Sequence, residues 1–174
     1  IDVTRYSISD YKDFLKMYFE TMNQHEADNY YYFNQQYFNF LQEHLKENSA
    51  VFYAMLDDKP VSGGVFLFNE KTMHYHLSGM KKEYRKFAPG NLLIYQAAVW
   101  ACKRGITKLH LGGGLKANDS LFGFKKQFNK HGRTPFYIGR TIFIKSAYDD
   151  LLKIRKQSDS HFDLNNDFLI QYRG

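Results

Sequence analysis

A change of period near residue 50 constrains this chain more than any other feature. Before it, apolar residues recur at helical spacing. Phe14, Leu15, Tyr18, Phe19 and Met22 follow the cap candidates Ser9 and Asp10. Tyr37, Phe38, Leu41 and Leu45 share one face of a second helix that starts near Asn34. After it come runs of strand-forming residues at 50–56, 61–68 and 72–78, separated by Asp57-Asp58-Lys59-Pro60 and Asn69-Glu70-Lys71. Such short turns predict an antiparallel meander, and Gly63-Gly64 inside the second run suggests a bulge.

The chain then alternates. A basic turn leads into an apolar helix over 91–104 that stops at Gly105. A strand over 108–111 ends in Gly112-Gly113-Gly114, and a short helix over 119–128 is capped by Asp119 or Ser120. A long strand is expected over 134–144, and Ser146 with Asp149 predicts a capping box for a last amphipathic helix. The tail after Ser158 gives no element. A strand–helix–strand crossover requires a parallel pair. The expected fold class is therefore α/β, of the α+β kind: a mixed, mainly antiparallel central sheet flanked by helices. The helix over 91–104 is apolar nearly all round, which predicts cover on several sides.

Composition narrows the class without choosing a function. The 174 residues carry no repeat or linker, so 1–174 reads as one domain. A net charge of +6 admits an anionic partner such as a nucleotide cofactor, RNA or a membrane surface, and does not separate them. A lone cysteine, Cys102, forms no intrachain disulfide and suits a reducing compartment, so a cytoplasmic protein is expected; Cys102 itself reads as a small buried hydrophobe. The strongest apolar run, 92–102, is shorter than the about 20 residues that span a bilayer, so no transmembrane segment is expected. No secretory leader is visible, and the chain starts at Ile1, which leaves room for an upstream segment.

The basic turn is the first candidate for chemistry. Arg85, Lys86, Phe87, Ala88, Gly90 and Asn91 surround the start of the apolar helix. A helix N-terminus offers unpaired N–H groups and the positive end of the helix dipole, Gly90 lets a ligand approach the backbone, and the two cations add charge. These residues are expected to hold an anionic group.

Two sets of motifs carry a family resemblance. The order of elements, with Arg85-x-x-Ala88-x-Gly90 between strand and helix, resembles the GNAT acyltransferase fold, whose phosphate-cradling motif is Gln/Arg-x-x-Gly-x-Gly/Ala; Ala88 stands where glycine is usual. His76-Leu-Ser-Gly79, Ala88-Pro89, Leu111-Gly-Gly-Gly114, Asp119-Ser-Leu-Phe-Gly-Phe-Lys125-Lys-Gln-Phe128 and Tyr137-Ile-Gly139 resemble the C-terminal GNAT-like domain of the Fem family, which transfers amino acids from aminoacyl-tRNA onto peptidoglycan precursors. That resemblance implies an active-site Phe124-Lys125 pair, with Lys125 offsetting negative charge. It also implies that this chain is compatible with being the C-terminal part of a two-domain protein.

Among the other candidates, His74 and His76 lie two apart on one strand and so share a face, while Tyr75 points to the core. Either histidine suits a general base near neutral pH. His76 is the catalytic candidate with Lys125, and His74, Gly113 and Gly114 are candidates for substrate contact. No further ligand stands at metal-binding spacing, so no metal is expected.

Three functions compete. The first is an N-acyltransferase moving an acyl group from acetyl-CoA, or another acyl-CoA, to a primary amine by direct attack. The second is a Fem-like transferase with an aminoacyl-tRNA donor and a peptidoglycan-precursor amine as acceptor. The third is a non-catalytic GNAT-like binding module that uses the aromatic stretch Tyr30-Tyr31-Tyr32-Phe33. The oligomeric state is not fixed by the sequence.

Overall fold

The computed structural model describes every residue except Ala117. Contacts divide the chain into two compact units, residues 1–130 and residues 131–174. The first contains β1 (Asp2–Ser7), α1 (Lys12–Gln24), α2 (Gln35–His44), β2 (Ser49–Leu56), β3 (Lys59–Phe68), β4 (Thr72–Met80), α3 (Pro89–Lys103), β5 (Lys108–His110) and α4 (Ser120–Lys126).

The strands form one sheet in the order β1-β2-β3-β4-β5. The first four pair antiparallel, and β4 pairs with β5 in parallel. The expected meander and crossover are both present. Asp57 and Asp58 both take positive φ between Leu56 and Lys59, the two-residue hairpin conformation that matches strand twist. Asn69 closes the next turn, its Oδ1 accepting from the backbone N–H groups of Lys71 and Thr72 at 2.9 and 2.8 Å.

Side chains alternate across the sheet and build two apolar layers. Phe52, Phe66 and Met73 face α3 and pack with Leu93, Ile94, Ala97 and Ala101. Val51, Tyr53 and Val65 face the other way and pack with Phe14, Met17, Tyr18, Phe38 and Leu41 of α1 and α2. Burial on α3 follows one stripe, and Tyr95 is 60% exposed, so within this unit the helix is covered on one side and not on several. Cys102 follows the buried Ala101, about 100° further round the helix, and is exposed; it is not the buried hydrophobe expected.

The glycine pair does not bulge. Gly63 and Gly64 pair in regular register with Tyr53 and Phe52. They are small because the layers close on them: a Cβ at Gly63 would lie 3.1 Å from Phe14, and one at Gly64 would lie 3.0 Å from Leu93. The register breaks elsewhere. Val65 pairs with Leu77 and Phe66 with Tyr75, which leaves His76 as the extra residue of a bulge in β4. Beyond it, Gly79 lies against the α1 backbone, where a Cβ would be 2.7 Å from Tyr18 N. Thr21 joins the same two elements, its Oγ1 accepting from Met80 N at 3.0 Å.

The second unit holds α5 (Lys145–Ser158) and an irregular chain around it. Residues 134–144 form no strand, against expectation. A strand exists through its ladder, and among the described residues this segment has none; Phe136, Tyr137 and Phe143 are almost wholly exposed. The expected capping box is also absent. The helix starts two residues earlier, at Lys145 with Ile144 as its N-cap, so Ser146 lies inside its first turn, and Lys145 Nζ takes the Asp149 carboxylate at 2.6 Å. Within this unit Arg140 Nη1 donates to Leu169 O at 2.9 Å, and the Arg155 guanidinium lies over the buried Phe162 ring.

Candidate active site

The parallel ladder between β4 and β5 is short. It joins Thr72, Met73 and His74 to Lys108, Leu109 and His110, and then stops. β4 runs on to Met80 without a β5 partner, so its outer edge opens toward the turn that leads into α3. A cleft of this kind has backbone N–H and C=O groups free along one wall.

The closed end of the cleft carries a histidine array. His74 Nδ1 and His110 Nδ1 are hydrogen-bonded at 2.8 Å, with stacked rings 4.9 Å apart. The His76 ring centroid is 5.9 Å from that of His74. The bulge gives the physical reason for its placement: His76 and Leu77 both face α1 and α2, while Tyr75 packs in the α3 layer. Tyr37 of α2 hydrogen-bonds His76 Nε2 through its hydroxyl.

Electrostatics separate the two β4 histidines. Burial, and then the neighbouring His74, push the His76 imidazole down to about 4. With its Nε2 also held by Tyr37, it is poorly suited to take a proton near neutral pH. His74 is held below the ordinary imidazole value by burial and then by His110, with a smaller contribution from Lys125; a hydrogen bond to the His110 backbone acts in the opposite direction. Its Nδ1 is the nitrogen that meets His110 Nδ1, and Nε2 is the other ring nitrogen. When His74 Nδ1 donates to His110, that Nε2 carries the free lone pair.

Lys125 reaches the same end from α4. Its Nζ donates to Gly113 O at 2.7 Å, and burial pushes the ammonium down while Asp119 opposes this. Phe124 turns the other way, onto the α3 layer. The glycine loop has mixed reasons for its composition. Gly112 takes φ +73°, and Gly113 supplies the carbonyl that holds Lys125. Gly114 has a structural role: a Cβ there would lie 2.1 Å from an Asp119 carboxylate oxygen. That carboxylate accepts from the backbone N–H groups of Leu115, Lys116 and Phe122 and caps α4.

At the open end, Arg85, Lys86 and Phe87 lie on a short 3-10 turn and are exposed, with the Lys86 ammonium over the Phe87 ring. Ala88 takes φ +50° and ψ +45°, the left-handed conformation that glycine adopts without penalty. The N-terminus of α3 has no side-chain cap, and a Cβ on Gly90 would meet nothing within 4 Å. Among the described residues Arg85 and Lys86 make no salt bridge. An uncapped helix start, two exposed cations outside any salt bridge among the described residues and open space fit a phosphate group. Asn91 N is used internally, donating to Ala88 O. The structure thus gathers His74, His76 and Lys125, with Gly113 alongside, at one end of the cleft and 85–91 at the other. Between His76 and Met80 the strand alone spans about 13 Å.

His110 is the member of this site that sequence reasoning missed. The available signal was the short strand 108–111, where alternation sets His110 opposite the neighbouring strand. Among the described residues no group of His, Cys, Asp and Glu is arranged to hold a metal ion. No described helix is long and apolar enough to cross a membrane.

This fold is shared with known enzymes. An aminoglycoside acetyltransferase from an uncultured soil metagenomic sample, solved with sisomicin, superposes with a TM-score of 0.61 at 17% identity, over 81% of this chain and 95% of that one. A ribosomal-protein-alanine N-acetyltransferase from Brucella melitensis biovar Abortus 2308 gives 0.57 at 16% identity, over 81% and 100%. The aminoglycoside antibiotic 6′-N-acetyltransferase of Acinetobacter haemolyticus gives 0.56 at 12%, over 83% and 99%. No curated protein sequence matches the chain. The family model described as the acetyltransferase (GNAT) domain matches residues 2–126, all within the first unit. With that match over most of its length, the chain belongs to the GNAT acetyltransferase family and is an acyltransferase.

Proposed function

We propose that this protein moves an acyl group from acyl-CoA, with acetyl-CoA the simplest donor, to a primary amine by direct attack. The observation that carries this reading is the split between β4 and β5. It leaves a strand edge running from the uncapped, basic start of α3 to the His74–His110 pair. The donor diphosphate sits at Arg85, Lys86 and Gly90, and the pantetheine arm follows the free edge of β4.

In the chemical step the amine nitrogen attacks the thioester carbon and forms the N–C bond. The tetrahedral intermediate collapses by breaking C–S, and the departing CoA thiolate takes a proton from solvent. The nitrogen loses its proton to His74 Nε2, the better-placed base, while His76 and Tyr37 hold that wall in place. Lys125 offsets the negative charge on the carbonyl oxygen.

Thermal unfolding with acetyl-CoA tests the donor. At about 100 times the dissociation constant a ligand stabilises by about 2.7 kcal/mol. A clear rise in Tm, lost in Arg85→Ala, is expected; an unchanged Tm in the parent protein refutes the acyl-CoA donor. A second reading, an aminoacyl-tRNA donor with a peptidoglycan-precursor acceptor, is favoured by one observation: Lys125 of the Phe124-Lys125 pair lies beside the glycine loop at this site. The family match is to the wider GNAT domain and favours neither donor. Salt-sensitive retention of aminoacyl-tRNA together with no acetyl-CoA shift selects this second reading.

A further inference from the structure

Two rings at the closed end of the cleft share a hydrogen bond and differ in their access to water. His74 Nδ1 and His110 Nδ1 are 2.8 Å apart, and the rings, inclined by 29°, meet through these nitrogens. Such a bond needs one N–H and one lone pair, so in the neutral pair one Nδ1 carries a proton and the other does not. His74 is half-buried on β4, whereas His110, on the edge strand β5, is exposed. The third histidine stands outside this bond, because His76 Nε2 is held by the Tyr37 hydroxyl.

The surroundings set the direction of the bond. If His110 donated, the His74 proton would sit on Nε2, and a half-buried N–H needs an acceptor more than a lone pair needs a donor. The recess beside His74 is lined by no carboxylate, and the Asn69 Oδ1 in that lining already accepts from Lys71 N and Thr72 N. The Lys125 ammonium also acts on His74, and a nearby cation favours a lone pair over an N–H. With His74 donating, its Nε2 keeps the lone pair, and the His110 proton lies on Nε2 of an exposed ring that water can reach. Two protons on the pair would set two N–H groups against each other at 2.8 Å, so the pair gains one proton far more readily than two.

We propose that His110 is a positioning and relay residue: it accepts the His74 Nδ1 proton, which reserves the His74 Nε2 lone pair for the amine, and it carries protons between His74 and solvent. This rests on the reading of His74 as the base. As the amine N–H breaks, an Nε2–H forms on His74, the His74 Nδ1 proton passes to His110 Nδ1, and His110 Nε2 gives its proton to water. When C–S breaks, the passage reverses. The thiolate takes the His74 Nε2 proton, His74 Nδ1 recovers a proton from His110 Nδ1, and His110 Nε2 takes one from water. Each turnover moves one proton out and one in, and leaves the pair as it began.

The test needs neither donor nor acceptor. The full chain, isotope-labelled at its histidine ring nitrogens, is titrated by NMR between about pH 8 and about pH 5, the range that brackets an ordinary imidazole. At the neutral end His74 should carry its proton on Nδ1 and His110 on Nε2, with a nitrogen–nitrogen coupling across the bond between them. On acidification the two rings should move together, and their charges should sum to one proton. In His110→Gln the amide oxygen still accepts, so His74 should keep its Nδ1 proton and titrate alone. In His110→Leu that preference should be lost and the Nε2–H form should appear; a His110 that only fills space would leave the His74 tautomer unchanged in both variants. Absence of the coupling, a parent His74 protonated on Nε2, two rings that each take a full proton independently, or an unchanged tautomer in His110→Leu each overturns the proposal. Failure of this pattern sinks the relay and not the acetyl-CoA donor, and an absent acetyl-CoA shift sinks that donor and not the relay.

Discussion

Part of the acid sensitivity of this protein should come from one side chain, His76. Burial, and then the adjacent His74, hold the His76 imidazole at about 4, against an ordinary value near 6.5. The unfolded chain binds that proton near 6.5, so between the two values it carries more protons than the folded chain, and stability rises with pH. The contribution is intact above about pH 6.5, is lost progressively as the pH falls, and is gone below about pH 4. At about 1.4 kcal/mol per pH unit the ceiling is about 3 kcal/mol. The ring is only part-buried, and solvent screening brings the expected figure to about 2 kcal/mol. His76→Phe keeps an aromatic ring and removes the titration. It strands the Tyr37 hydroxyl, which lowers stability by about 1 kcal/mol at every pH below the tyrosine range. Urea midpoints of both proteins at about pH 7.5 and about pH 4 read the difference. The parent should lose about 2 kcal/mol more than the variant between the two conditions. Equal losses would refute the reasoning, because His76 would then titrate alike in the folded and unfolded chains.

Two further outcomes follow from the geometry. Gly79→Ala puts a methyl group 2.7 Å from Tyr18 N and 2.8 Å from Met17 C, backbone atoms that cannot swing away, and should cost about 2–3 kcal/mol by urea titration. Gly90→Ala, with nothing within 4 Å, should stay within about 1 kcal/mol of the parent. For catalysis, His110→Gln removes a neighbour that lowers His74, so the acidic limb of the kcat/KM profile should move to higher pH; a limb that stays put or moves down counts against His74 as the base.

Much of this architecture was legible from periodicity, and the exceptions have physical causes. The helical faces of Phe14, Tyr18, Phe38 and Leu41 and the meander after residue 50 are set by which side chains must leave water. β1 was not legible: Asp2–Ser7 is mostly exposed, and only its ladder with β2 makes it a strand. The converse holds at 134–144, where strand-forming residues have no ladder. At the site, the shared face of His74 and His76 could be read from their spacing. The bulge that projects His76 could not, because it is a property of two paired strands and not of one sequence. His110 went unread because its significance lies in the partner it stacks on, which is 36 residues away. Gly114 looked like a ligand contact, but the collision it avoids is with the Asp119 cap.

The bulge at His76 bears on how such a site can diversify. Position 76 is an insertion in the alternation of β4, so the two sheet layers do not depend on it beyond the Tyr37 hydroxyl it holds: Tyr75 keeps its place in one layer and Leu77 in the other. Exchanging the residue there alters the wall of the cleft without asking the sheet to repack. A scaffold with one such mutable position, next to a fixed strand edge, can change which acceptor it serves by single substitutions while the rest of β4 stays under strict packing constraint.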